Sequence, residues 1–156
     1  MNTRFKIVTV KALKKKIADH RREGKTIAFT NGCFDLIHYG HISYLEKAKK
    51  NNRVLIIGLN SDSSVKKIKG PLRPIVPQKE RASVLAALAC VDYVTIFNED
   101  TPHNLIDQLR PDLLIKGADW KGKKVAGSNI IHKVEYIRYI PNCSTSKIIE
   151  SILERG

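Results

Sequence analysis

An open α/β sheet of about five mostly parallel strands, with helices on both faces, is the fold class this chain predicts. Three observations point to it. Short apolar runs alternate with helical patterns along the whole chain. Four of those runs are almost continuously apolar, as strands buried on both faces are. Segments rich in Gly, Asn and Ser follow the runs, where such sheets place ligands outside the carboxyl ends of their strands.

The strands are read at "TIAFT" (26–30), "RVLIIGLN" (53–60), "DYVTIF" (92–97), "DLLIKG" (112–117) and "EYIRYIP" (135–141). Helical patterns fill about 10–22, 40–50, 78–89, 101–109 and 145–154. Thr101 before Pro102 is a start signal, a cap followed by proline at the first helical position. Ser144 or Thr145 offers the last helix a similar cap. No repeat or linker interrupts the pattern. One domain over 1–156 is therefore expected, with residues 1–25 supplying a basic helix packed on the core. The segments "NGCFDLIHYGH", "NSDSSVKKIKGPLRP", "KGADWKGKK" and "NCSTSK" each follow a strand, so right-handed crossovers bring all four to one edge.

Composition narrows the function classes. With 156 residues and 42% hydrophobic content, an ordered globular protein is expected. Cys33, Cys90 and Cys143 are scattered without a CxxC spacing, which reads as reduced thiols in a cytoplasmic protein rather than a disulfide frame or zinc site. The amino-terminal segment has no apolar stretch suited to a signal peptide or membrane insertion. Net charge is +13, and the first 25 residues carry nine basic against two acidic side chains. "KALKKK" reads as a solvated helix face, whereas the basic clusters at 66–81 and 116–138 adjoin Gly-rich or Ser-rich turns, where phosphate is a serious ligand. Specific nucleic-acid binding is disfavoured, because the basic residues are not interleaved with aromatics, which total only 6%.

Neither a GxGxxG fingerprint nor a P-loop is present. Asn31-Gly32 still lets backbone amides approach a phosphate at the end of the first strand. His38 and His41 enter the next helix three residues apart, on roughly one face, beside its positive dipole end. Imidazoles there suit the charge that builds on a transferring phosphoryl group. Taken singly, either histidine reads as a satisfied core group. Taken as a pair they are half a metal site, but no third ligand stands nearby, and no metal ligands are expected.

"GCFDLIHYGH" resembles the signature of the HxGH nucleotidyltransferase superfamily, a Rossmann-like group of cytidylyl- and adenylyltransferases. "NSDSSVKKIKGPLRPIVPQKERASVLAALACVDYV", "EDTP", "RPDLLIKGADW", "VAGS" and "CSTSKIIESI" are similar, in the same order, to the heptose 1-phosphate adenylyltransferases of bacterial lipopolysaccharide synthesis. The resemblance runs from about residue 26 to 153. It implies that His38 and His41 stabilise the transition state and the departing pyrophosphate, and that Lys69 reaches the phosphates, with Lys66 and Arg73 as competitors. It places Thr30, Asn31, Gly32, Phe34 and Gly40 along the nucleotide. Arg81 would face the site from the start of its helix, and Ser144, Thr145 and Ser146 would hold triphosphate oxygens. Lys116, Gly117 and Asp119 would approach the nucleotide or sugar phosphate, with Asn60 and Arg73 on the substrate side. Asp35 either binds a sugar hydroxyl or holds its loop, the second being favoured. Trp120 either packs beside the ligand or covers the core.

The implied reaction is transfer of AMP from ATP to D-glycero-β-D-manno-heptose 1-phosphate, with Mg2+ held mainly by the nucleotide phosphates. Some members of that family also carry a sugar kinase, for which 156 residues leave no room, so a separate kinase is expected to supply the substrate. A homodimer is the assembly the superfamily suggests. The rivals are a CTP-dependent enzyme acting on glycerol 3-phosphate or a similar alcohol phosphate, and an FMN adenylyltransferase. "GADWKGK" resembles the first, but its "RTEGISTT" stands here as "IPNCSTS", and its arginine before "VD" is Ala89.

Overall fold

Five strands, β1 (Thr26–Gly32), β2 (Arg53–Asn60), β3 (Tyr93–Phe97), β4 (Leu113–Gly117) and β5 (Val134–Ile137), hydrogen-bond in the order β3-β2-β1-β4-β5. Every pairing between them is parallel. The structure is a computed structural model describing residues 2–138, 140–141 and 143–155. Its helices are α1 (Val10–Arg22), α2 (Tyr39–Ala48), α3 (Asp62–Lys69), α4 (Gln78–Ala87), α5 (His103–Leu109) and α6 (Thr145–Leu153).

The near-continuous apolar runs are explained by two cores, one on each face of the sheet. Leu55, Ile57 and Leu59 of β2 point to one face and pack with Leu45 and Ala48 of α2 and Leu85 and Ala86 of α4. Val54 and Ile56 point to the other and pack with Leu13 and Ile17 of α1 and Leu105, Ile106 and Leu109 of α5. This is the alternation of a strand covered on both sides. The basic helix α1 thus buries Leu13 and Ile17 while Lys11, Lys14 and Lys15 face water. Before it, Ile7 bridges Val94 in parallel, and the Lys6 ammonium donates to the carbonyls of Leu88 and Val91 beyond the end of α4.

Three details depart from the sequence reading. A helix, α3, occupies "DSSVKKIK", a segment read only as following a strand and not among the expected helices. Ser61 caps it by accepting from the Ser64 amide, Val65 is fully buried, and Gly70 follows its last turn at φ 99°. Thr101 is not the cap of α5: Pro102 takes that position, and no side chain caps the helix. The last strand stops at Ile137 rather than 141, and Tyr139 in that span lies outside the described residues.

The chain runs outward from β1 through β2 to β3, then returns to β4 on the other side of β1. The reversal point, between the carboxyl ends of β1 and β4, is where sheets of this kind bind ligands.

Candidate active site

Asn31 closes β1 and Lys116 lies near the end of β4, so the two flank the reversal point. The Lys116 ammonium donates to Asn31 Oδ1 at 2.5 Å and stands 5.2 Å from the centroid of the Trp120 ring. Burial lowers its pKa to about 8, and the neighbouring Asp119 carboxylate opposes the shift. Trp120 is therefore the wall over a cation at the rim of the site, 38% exposed, and not a cover for the core. Gly117 is buried between Lys116 and the short 3₁₀ turn Ala118–Trp120, which leaves Asp119 exposed.

Directly after β1 the chain turns sharply. Phe34 adopts φ 44°, which few residues other than glycine tolerate, and a Cβ on Gly32 would stand 2.9 Å from its ring. The Thr30 hydroxyl is buried against the Tyr44 hydroxyl at 2.8 Å, so at this position only the main chain is left to meet a ligand. His38 caps α2 with its main chain, its carbonyl accepting from the amides of His41 and Ile42. The two imidazoles stack with centroids 3.8 Å apart, and the Phe34 ring lies 5.1 Å beyond His41.

Among the described residues neither Nδ1 atom has a hydrogen-bond partner, although both atoms are buried. Desolvation, then the adjacent His38, pushes His41 down to about 4, and desolvation lowers His38 too. Both rings are thus neutral at pH 7. At the dipole end of α2 they stand as N–H donors rather than as cations.

The amino end of α6 packs against this turn. Thr145 Oγ1 donates to the Leu36 carbonyl at 3.3 Å, and the Ser144 hydroxyl accepts from the Lys147 amide at 3.2 Å. Ser146 is exposed. A Cβ on Gly40 would stand 2.9 Å from Cys143 Cβ, so a glycine is needed for α2 and the entry to α6 to meet. Between His38 and α6 runs a groove of about 660 Å³, lined by Tyr39, Ser144, Lys147, Ser151 and Arg155 among others. Tyr39, Lys147 and Arg155 do not emerge from the motifs. The signal was nonetheless present, because Ser144, Lys147, Ser151 and Arg155 recur at three- and four-residue spacing along one helix face.

Two expected ligand contacts, Arg81 and Asn60, are turned inward instead, and Asp35 holds its loop as favoured. Arg81 does not face the cleft: its side chain is 0% exposed and donates to the carbonyls of Val76 and Cys33 and to Asp62. Asp35 accepts from Arg73 Nε and from the amides of Ile75 and Val76, which ties down both Asp35 and Arg73. Asn60 is 3% exposed and donates to Ser64 Oγ, so its amide joins β2 to α3. The reason is common to Arg81, Asp35 and Asn60: a buried polar group needs a partner, and each finds one in the protein, while the half-buried Arg73 serves as the partner of Asp35. Lys69 lies exposed in the last turn of α3. Asn142, in the "NCSTSK" segment, lies outside the described residues.

Residues 29–151 match the cytidylyltransferase-like family. A protein of Syntrophotalea carbinolica named bifunctional protein HldE is 49% identical over 154 residues, covering 96% of this chain and 31% of that protein. The HldE proteins of Campylobacter fetus and Helicobacter pylori are 57% and 51% identical, covering 84% and 90% of this chain and 29% and 30% of their own length. The chain thus spans under a third of these relatives. A crystal structure of a lipopolysaccharide core biosynthesis protein from Thermoplasma volcanium shares the fold, with TM-score 0.58 and 24% identity, over 74% of this chain and 96% of that one. With its parallel sheet, its paired histidines at the start of the helix after β1 and a match across most of its length, the chain belongs to the cytidylyltransferase-like family.

Proposed function

We propose that this chain is an adenylyltransferase that moves AMP from ATP to D-glycero-β-D-manno-heptose 1-phosphate, releasing pyrophosphate. The observation that carries the reading is the stacked, neutral pair His38 and His41, whose Nδ1 atoms have no partner among the described residues, with His38 lining a groove bounded by the amino end of α6. A phosphate oxygen of the sugar attacks the α-phosphorus in line, and the bond to the pyrophosphate oxygen breaks. The imidazole N–H groups meet charge on the α-phosphate and the leaving group. Lys116 at the end of β4, and Lys147 and Arg155 on α6, supply positive charge around the polyphosphate, with the cap of α6 as a further anion site. Among the described residues, no group of three His, Cys, Asp or Glu could hold a metal. Mg2+ would enter on the nucleotide phosphates and offset their charge there.

The choice of heptose rests on the ordered motifs from "NSDSSVKK" to "CSTSKIIESI". A homodimer in the cytoplasm is the expected setting, and no helix among the described residues is long and apolar enough to cross a membrane. Pyrophosphate release with ATP or CTP, each against heptose 1-phosphate and glycerol 3-phosphate, tests the reading. Turnover with ATP and heptose 1-phosphate alone supports it. CTP-dependent turnover would overturn it in favour of a cytidylyltransferase, and activity only with FMN as acceptor would do so in favour of an FMN adenylyltransferase.

A further inference from the structure

The loop that carries the chain from β1 into the histidines is tied down from two sides. Cys33 offers its carbonyl to the Arg81 guanidinium. Asp35, its side chain 1% exposed, accepts from Arg73 Nε at 2.5 Å and from the amides of Ile75 and Val76 at 2.8 and 2.9 Å. Leu36 accepts from Thr145 on the α6 side. Arg81 is the enclosed centre of the first set, since one planar fork reaches three acceptors in different segments. Its Nε donates to Val76 O at 2.9 Å, and one terminal nitrogen donates to Asp62 Oδ1 at 2.8 Å.

Asp62 is itself held in a reciprocal clasp. Its carboxylate accepts from the Gln78 amide at the start of α4, and its own amide donates to Gln78 Oε1, both at 2.8 Å. The starts of α3 and α4 and the turn before α2 therefore close on one cation that has no surface of its own.

We infer that Arg81 is a positioning residue for the His38–His41 pair, acting through the Cys33 carbonyl and the Asp62 clasp rather than by touching nucleotide. The inference rests on the proposed reaction only for its kinetic readout. Breaking the fork frees the turn five residues before His38, where a displacement near 1 Å is enough to lower turnover about 100-fold.

Arg81→Lys and Asp62→Asn in the full chain test it. Lysine keeps the charge beside Asp62 but cannot span three acceptors. Asp62→Asn alters a side chain that is 37% exposed, so it carries the test if the first variant does not fold. Histidine ring NMR is the primary readout. Resonances of His38 and His41 should shift, while His20, His103 and His132 stay in place as internal standards. In turnover, kcat should fall roughly 10- to 100-fold with ATP Kd changed less than about twofold. Unmoved His38 and His41 signals in a folded variant would overturn the positioning role. So would an ATP Kd that rises in step with the loss of turnover, which would make Arg81 a nucleotide ligand. If the unmodified chain turns over no substrate pair, the proposed reaction fails while the ring spectra still decide the role of Arg81.

Discussion

Replacing Gly40 by alanine tests how closely α2 must approach α6. By intrinsic propensity alone the change favours a helix by about 1 kcal/mol. The structure opposes it. The new Cβ would lie 2.9 Å from Cys143 Cβ and 3.0 Å from both Cε1 and Nδ1 of His38. The imidazole can rotate aside, but Cys143 Cβ is attached directly to the main chain, so the entry to α6 has to retreat by about half an ångström to reach ordinary contact. Overpacking of this kind costs about 1–3 kcal/mol, which leaves a net loss of roughly 0–2 kcal/mol once the propensity gain is counted. Thermal melting should therefore move by only a few degrees. Turnover should fall far more, about 10- to 100-fold, because His38 and the cap of α6 are both displaced. Cys143→Ala keeps the Cβ and should not rescue the variant, whereas Cys143→Gly should restore part of the rate. Wild-type turnover in Gly40→Ala, or equal rescue by both cysteine changes, would refute the reasoning.

His41→Ala should lower kcat about 100- to 1,000-fold with ATP binding largely kept, measured by pyrophosphate release and calorimetry; normal turnover would remove the histidines from the chemistry. Acid should destabilise the fold before the carboxylates titrate. Between pH 6.5 and about 4 the unfolded chain takes up a proton that folded His41 does not, a loss of at most about 3 kcal/mol that denaturant melts across that range should show. Raising pH through about 8 should discharge Lys116, weakening ATP binding in the wild type but not in Lys116→Arg, which stays charged. Over pH 8 to 10.5 stability itself should rise, by at most about 3 kcal/mol, since the unfolded chain holds that proton longer. Leu85→Ala, at a fully buried position between α4 and the sheet, should cost about 2–5 kcal/mol in chemical denaturation while leaving the ATP Kd of the folded fraction unchanged.

Features set by neighbours in the chain were legible from residue order. The parallel sheet follows from apolar runs too continuous for a half-exposed strand, as the two cores around β2 bear out. The cap at Ser144 follows from a hydroxyl three residues before the amide it accepts from. The HxGH pair falls at a strand end because Asn31-Gly32 closes β1 and His38 opens α2. Helix α3 was the local miss. Its cap and its glycine stop were readable, but eight residues hold a helix only when docked, here through Val65 and the Asp62–Gln78 clasp.

Features that depend on distant partners required the folded chain. Lys116 meets Asn31 across 85 positions of sequence, and Arg81 meets Cys33 across 48. The family resemblance made Arg81 look like a ligand contact, whereas Asp35 was favoured as a tie for its loop. Burial makes ties of both, since a charge enclosed by protein must find its partner there. The same physics sets the protonation of the histidines. A sequence specifies two imidazoles with ordinary pKa near 6.5. Stacking His41 between His38 and Phe34, away from water, is what pushes it down to about 4 and so keeps it a neutral donor well below pH 7, and that packing exists only in the folded chain.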